Sequence, residues 1–253
     1  MKRIILIETS TALCSVALAE GGTVTAYRES SAPKAHASLT AVFVQEVLSE
    51  RGLKLAECDA VCVSKGPGSY TGLRVGVSTA KGLCFGSGVP LLAVGTLDTL
   101  VAQASSTEAL SVAASGNWKY IIPMIDARRM EVYSAVFEIP SPCSSNSSDQ
   151  TGQAGNNWKA EQITETCPVI VDENSFIEYL EQGPCLFIGD GAGKCADVIK
   201  HPNAHFCQCN PKASSMLLPA LAALEKKEFC DVAYFEPFYL KEFVATVSKK
   251  KLF

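Results

Sequence analysis

The first apolar positions form a short unbroken run, Ile4-Ile5-Leu6-Ile7, that stops at a polar turn, Glu8-Thr9-Ser10-Thr11. A second run through Val16 and Leu18 ends at Gly21-Gly22, and a third lies around Val24 and Tyr27. Short apolar runs bounded by turn residues predict three strands in a meander. After Pro33 the spacing becomes helical over 35–51, and Gly52 closes that helix. Ala60-Val61-Cys62-Val63 predicts a fourth strand, running into Gly66-Pro67-Gly68 and a second helix over 69–85. Gly86, Gly88 and Pro90 end that helix, and Leu91-Leu92-Ala93-Val94 reads as another buried strand.

The second half partly repeats this order. Tyr120-Ile121-Ile122-Pro123-Met124-Ile125 is a strand ending on an acid, Asp126. Ala127-Arg128-Arg129 is a short turn before a strand through Val132, Tyr133, Val136 and Phe137. Cys185-Leu186-Phe187-Ile188 then enters Gly189-Asp190-Gly191-Ala192-Gly193 and a helix. Strand, acidic turn and strand, followed by strand, glycine loop and helix, thus occur twice. That pattern predicts a duplicated α/β fold with lobes at 1–104 and 105–253. Residues 140–157 are Ser-, Asn- and Gly-rich and read as a solvated loop. A helix over 214–226 is expected to pack back on the first lobe, and the tail ends in Lys249-Lys250-Lys251.

Composition narrows the function. With 47% hydrophobic and 19% charged residues, the chain is not a disordered one. Lys and Arg number 22 against 26 Asp and Glu, a net charge of −4. Proteins that grip nucleic acid alone usually carry a basic excess, so a nucleic-acid role here needs a partner. No apolar stretch approaches the ~18 residues of a membrane span. The opening run stops too early for an export signal. The expected location is therefore the cytoplasm, with the eleven cysteines as free thiols. Cys14, Cys62, Cys84, Cys185 and Cys230 sit among apolar neighbours and read as core residues. Cys207-x-Cys209 lacks a second pair, and Pro202 breaks the helix that a His201/His205 metal pair would need, so no metal is expected. His36 reads as an exposed helix-start residue.

Two segments carry candidate chemistry. Gly66 and Gly68 precede a helix N-terminus, a ready anion site. The same residues, with Ser69 or Thr71 as cap, equally make an ordinary strand-to-helix turn. Glu8, Thr9 and Ser10 combine a carboxylate with hydroxyls, the chemistry that holds a metal-bound phosphate, or simply a polar turn. Asp126 is the matching position in the second half, and Gly189 with Gly191 is a glycine loop of a common kind.

The segments IILIETSTALCSVAL, GPGSYTGLRVGVSTAKGL, DARRMEVYSA, GDGAGK and EPFYLKEF together resemble the TsaB (YeaZ) family over nearly the whole chain outside 140–157. The resemblance implies two ribonuclease-H-like lobes of the actin-like ATPase (sugar kinase and Hsp70) superfamily. It implies a non-catalytic subunit that dimerises with the transferase TsaD and, with it, recruits the ATPase TsaE. Their product is a threonylcarbamoyl group on the adenosine following the anticodon of tRNAs reading A-starting codons. In TsaD an HxxxH after the fifth strand binds the catalytic metal; here Thr96 and Leu100 stand in those places. Leucine cannot ligate a metal and a lone threonine hydroxyl is too weak. The loops at Glu8, Thr9, Ser10, Gly66, Gly68, Asp126, Gly189 and Gly191 then read as vestigial nucleotide loops. No cofactor is expected on the isolated chain, and a nucleotide only at the interface with TsaD. The tRNA is expected to bind only through the complex. The rival readings are an active ATPase or small-molecule kinase of the same fold and, more weakly, a metallopeptidase-like hydrolase.

The partner surface is sought on the first two helices. Leu39, Val42, Phe43, Val44, Val47 and Leu48 cover roughly two-thirds of the first helix's circumference at ~100° per residue, more than one core face needs. On the second helix, Thr71, Val75, Ser78, Thr79 and Gly82 lie alongside Gly72 and Gly76, where a partner helix would approach closely. The expected interface is therefore Leu39, Val42 and Phe43 with Thr71, Gly72, Val75, Gly76, Ser78, Thr79 and Gly82. It would serve TsaD, or a second copy when the chain is alone.

Overall fold

The structure is a computed structural model that describes residues 1–104, 118–140 and 160–241. All but the first residue of the expected 140–157 loop, and the Lys249-Lys250-Lys251 tail, lie outside the described residues.

Strands β1 (Arg3–Glu8), β2 (Cys14–Glu20) and β3 (Thr23–Ser30) form the meander. Helix α1 (Ala35–Glu50) leads to β4 (Ala60–Ser64), and α2 (Tyr70–Ser87) leads to β5 (Leu91–Val94). The sheet order is β3-β2-β1-β4-β5, with β1, β4 and β5 parallel and the meander antiparallel. Residues 4–7 are all apolar because this sheet is covered on both faces. Ile5 and Ile7 pack under α1 and α2, while Ile4 and Leu6 pack on the opposite face.

Helix α3 (Thr96–Ala104) then leads to β6 (Tyr120–Asp126), β7 (Glu131–Ser134), β8 (Phe137–Glu138), β9 (Glu161–Gln162) and β10 (Cys167–Ile170). The one-turn helix α4 (Ile177–Leu180), β11 (Cys185–Gly189), the one-turn α5 (Ala192–Cys195), β12 (Ala204–Gln208) and α6 (Leu217–Lys226) follow. The second sheet runs β10-β7-β6-β11-β12 with the same pattern of parallel and antiparallel neighbours as the first. This recurrence is the duplicated α/β plan that the doubled order of strand, turn and glycine loop predicts. The 16- and 18-residue helices of the first lobe have four-residue counterparts in the second, so the helix expected after Gly193 is a single turn.

The strand expected through 132–137 is split in two, and Pro123 supplies the reason. It has no N–H to give to a ladder. Strand β7 pairs with Met124, Ile125 and Asp126, β8 pairs with Tyr120 and Ile121, and the ladder changes partner across Pro123.

The helices following the last strand of each sheet are exchanged. Leu97 and Leu100 of α3 pack with Ile121, Ile125, Leu186 and Ile188 of the second sheet. Met216 and Ala220 of α6 and the turn before it pack with Ile4, Leu6, Cys62 and Leu92 of the first. The Ala213 N–H donates to Ser15 Oγ at 2.9 Å, and Gln103 bonds both Asn210 O and the Lys212 N–H. Cys14, Cys62, Cys84 and Cys185 lie in these cores, whereas Cys230 is only half-buried. Among the described residues no helix is long and apolar enough to cross a membrane.

Leu100 is fully buried at this crossing. Leu100→Ala is expected to cost about 2–5 kcal/mol, read as a lower urea midpoint at unchanged slope. A loss well under about 1 kcal/mol would mean that α3 is not wedged into the second core.

Candidate functional site

At the end of β1 the chain enters Glu8, Thr9, Ser10 and Thr11, all of them buried. The glycine loop after β4 lies directly on this turn. The Ser69 N–H donates to Ser10 O at 2.6 Å, and Ser69 Oγ caps α2 by accepting from the Gly72 N–H at 3.3 Å. A Cβ on Gly68 would overlap Ser10, one on Gly72 the Thr9 carbonyl oxygen, and one on Gly76 the Thr9 hydroxyl. Gly72 and Gly76 therefore correct the sequence expectation. They are buried against the chain's own first turn and are not open to a partner helix.

Glu8 Oε1 accepts from the Ser10 N–H at 2.7 Å, whereas Glu8 Oε2 and the Ser10 hydroxyl are buried without a hydrogen-bond partner. Burial pushes this carboxyl up to about 7, and hydrogen bonding only partly offsets it. Ser64 Oγ lies 2.9 Å from Thr96 Oγ1. Thr96 and Leu100 are both fully buried, one in this hydroxyl pair and the other in the second core. His36 is not a free helix-start residue, because its Nε2 donates to Thr11 O at 2.8 Å and docks α1 on the same turn.

The second lobe closes its equivalent turn with a cation. The Lys194 ammonium, carried on α5, donates to Asp126 Oδ1 at 2.5 Å, Arg129 O at 2.8 Å and Glu131 O at 2.7 Å. Asp190 Oδ1 accepts from the Asp126 N–H at 2.9 Å, and burial raises the Asp190 carboxyl to about 6. A Cβ on Gly189, whose φ is +138°, would overlap Met124 O, and one on Gly191 would crowd Val132. These glycines are thus needed where the end of β11 passes β6. Sequence reasoning missed Lys194, although a lysine directly after a glycine loop was a usable signal. Among the described residues no three His, Cys, Asp or Glu side chains gather as a metal site.

The outer faces of α1 and α2 differ from expectation. Phe43 is only 8% exposed and belongs to the core, and Leu39 packs against that core. Val42 stays exposed. On α2, Thr71, Ser78 and Gly82 are exposed while Val75 and Thr79 are half-buried. The stripe ends on Phe85, which is 87% exposed and was missed. Its position three residues beyond Gly82 continues the helical spacing. Phe85 also borders a groove of about 700 Å³ lined by Lys81, Gly82, Asp231, Val232 and Ala233.

Two substitutions of glycine in α2 should have opposite signs. Alanine is favoured over glycine in a helix by about 1 kcal/mol. Gly82→Ala meets no atom within 4 Å and should raise stability by up to that amount. Gly72→Ala must displace Thr9 backbone and should lower stability by more than about 1 kcal/mol in spite of its propensity. Thermal melts of the two variants check this.

Glu8 sets a pH dependence. Its carboxyl holds a proton in the folded chain up to about pH 7, against 4.5 for the ordinary group. Between those values the folded state binds more protons than the unfolded, so stability falls as pH rises. Glu8→Gln removes this titration. Its stability relative to wild type should improve by about 3 kcal/mol between pH 4 and pH 8, measured by urea unfolding.

The family model for TsaD, tRNA N6-adenosine threonylcarbamoyltransferase, matches residues 24–249. A transferase of that name from Agrobacterium fabrum is 38% identical over 80 residues, 32% of this chain and 22% of its own length. The tRNA threonylcarbamoyladenosine biosynthesis protein TsaB of Escherichia coli is 31% identical over 252 residues, 96% of each chain. The solved structure of YeaZ from Pseudomonas aeruginosa shares the fold, with a TM-score of 0.75 at 24% identity over 95% of this chain and 100% of that one. The alignment with this transferase covers 32% of the chain, whereas that with TsaB covers 96% of it. The chain belongs to the TsaB (YeaZ) family, whose members are named for tRNA threonylcarbamoyladenosine biosynthesis.

Proposed function

We propose that this chain is a non-catalytic scaffold subunit that pairs with TsaD and, with it, recruits TsaE in the cytoplasm. The assembly places threonylcarbamoyl on the adenosine following the anticodon of tRNAs reading A-starting codons. The observation that carries this reading is the filling of each place where the family's chemistry would sit. Thr9 is packed between Gly72 and Gly76, Lys194 holds the second turn, and Thr96 and Leu100, which the resemblance aligns with the metal-binding histidines, are both buried. A Mg–phosphate site needs a reachable, ionised carboxylate, and Glu8 is buried with its proton held to about pH 7. This geometry counts against the ATPase, kinase and hydrolase readings. The isolated chain should hold no tight cofactor or metal, with a nucleotide bound only at the interface with TsaD. A net charge of −4 supports contact with tRNA through the complex alone.

The outer face of α2 is the docking surface in this reading: Thr71, Val75, Ser78 and Gly82, extended by Phe85 and flanked by Val42 of α1. Phe85 is the anchor that sequence reasoning left out, since a large exposed aromatic beside an apolar groove is the kind of residue that dominates binding. Val75→Arg should stay folded by circular dichroism, because that position is already half in solvent. It should weaken co-elution with TsaD by at least about tenfold through a charge buried at the contact. A folded variant that pairs with wild-type affinity would place the contact elsewhere.

A further inference from the structure

Residues 228–241, after α6, form no regular element but run beside α2 and touch both lobes. The near end is firmly held. The Cys230 N–H donates to Leu91 O at 2.8 Å and bridges the free edge of β5. Lys81 Nζ then reaches the carbonyls of Ala233 and Phe235, each at 3.1 Å. Further along, the Phe238 N–H donates to Lys65 O at 2.7 Å, and the Tyr239 ring lies 4.9 Å from that of Tyr70. Gly66 makes room here, since a Cβ on it would press on Phe238 O. The far end crosses to the second lobe, where Lys241 pairs with Glu131 and stands over the Tyr133 ring. Glu131 belongs to the turn whose carbonyls hold Lys194.

We propose that this segment is a releasable clasp between the lobes, fixed at Cys230 and latched at Lys241. The two ends differ in kind. The near end is a backbone bond on a strand edge, with Cys230, Val232 and Phe235 packed on the first core. The latch is an ion pair whose members are 41% and 21% exposed, and such pairs contribute little and weaken with salt. The segment therefore opens from its far end, freeing the glycine loop and the β6–β7 turn together while Cys230 stays bound.

Hydrogen exchange on the full chain tests this, followed at the amides of Cys230 and Phe238 and over peptides 65–70 and 126–134. Lys241→Glu should speed exchange at Phe238 and in both peptides by about two- to fivefold and leave Cys230 unchanged. Salt at about 1 M should do the same to the wild type. The exchanged pair, Lys241→Glu with Glu131→Lys, should restore wild-type protection. A loose tail with only local contacts would change Phe238 and not 126–134. That result, wild-type exchange in Lys241→Glu, or failure of the exchanged pair to restore protection would overturn the proposal.

Discussion

The seating of Thr9 between Gly72 and Gly76 is the contact from which the first lobe is organised. It brings the N-terminal half of α2 onto the end of β1 at a distance no side chain larger than glycine would allow. Leu73, Val77, Ala80 and Cys84 are thereby directed into the sheet, and the opposite edge of α2 is left outward. The Ser69–Ser10 backbone bond and the His36–Thr11 bond fasten α2 and α1 to the same four-residue turn. The outward edge of α2 and the face that packs on the buried Thr9 turn are thus two sides of one helix.

That arrangement has a cost that points to its origin. The hydroxyls of Thr9 and Thr11 are buried without a hydrogen-bond partner, and such orphans each cost about 1–3 kcal/mol. A turn selected only for packing would place valine or alanine there. In the proposed reading, the hydroxyls and the carboxylate at the end of β1 are the remnant of a ligand-holding turn. Here neighbouring protein has closed over them, and the proton on Glu8 removes the charge that burial would otherwise penalise. The second lobe reached closure differently, with an ammonium neutralising Asp126.

Most strands were legible because each sheet is covered on both faces, which leaves unbroken apolar runs at β1, β4, β6 and β11. The doubled order of strand, turn and glycine loop was legible for the same reason. The errors share one physical source. A wide apolar arc on α1 suggested a partner, yet α1 packs against β2, β3 and α2 at once, and Phe43 is spent inside. Gly72 and Gly76 announce that something comes close, but the letters do not say whether it is another molecule or Thr9. Lys194 and Pro123 act through residues more than sixty and about ten positions away. Contacts of that range leave no periodic trace in the sequence.

The exchanged helices explain how the second sheet is covered although the helices of its own lobe are so short. Its own α4 and α5 span one turn each and cannot cover a five-strand path. Leu97, Leu100 and Ala104 of α3 supply the missing cover on one face, and α6 returns the service to the first sheet. Each core therefore contains a helix whose covalent neighbours lie in the other half. Separating the lobes would expose both cores. The exposed face of α2 consequently rests on the entire fold. Loss of packing in the second lobe would reach it through Leu100 and Thr96, whose hydroxyl lies 2.9 Å from Ser64, beside the buried Glu8.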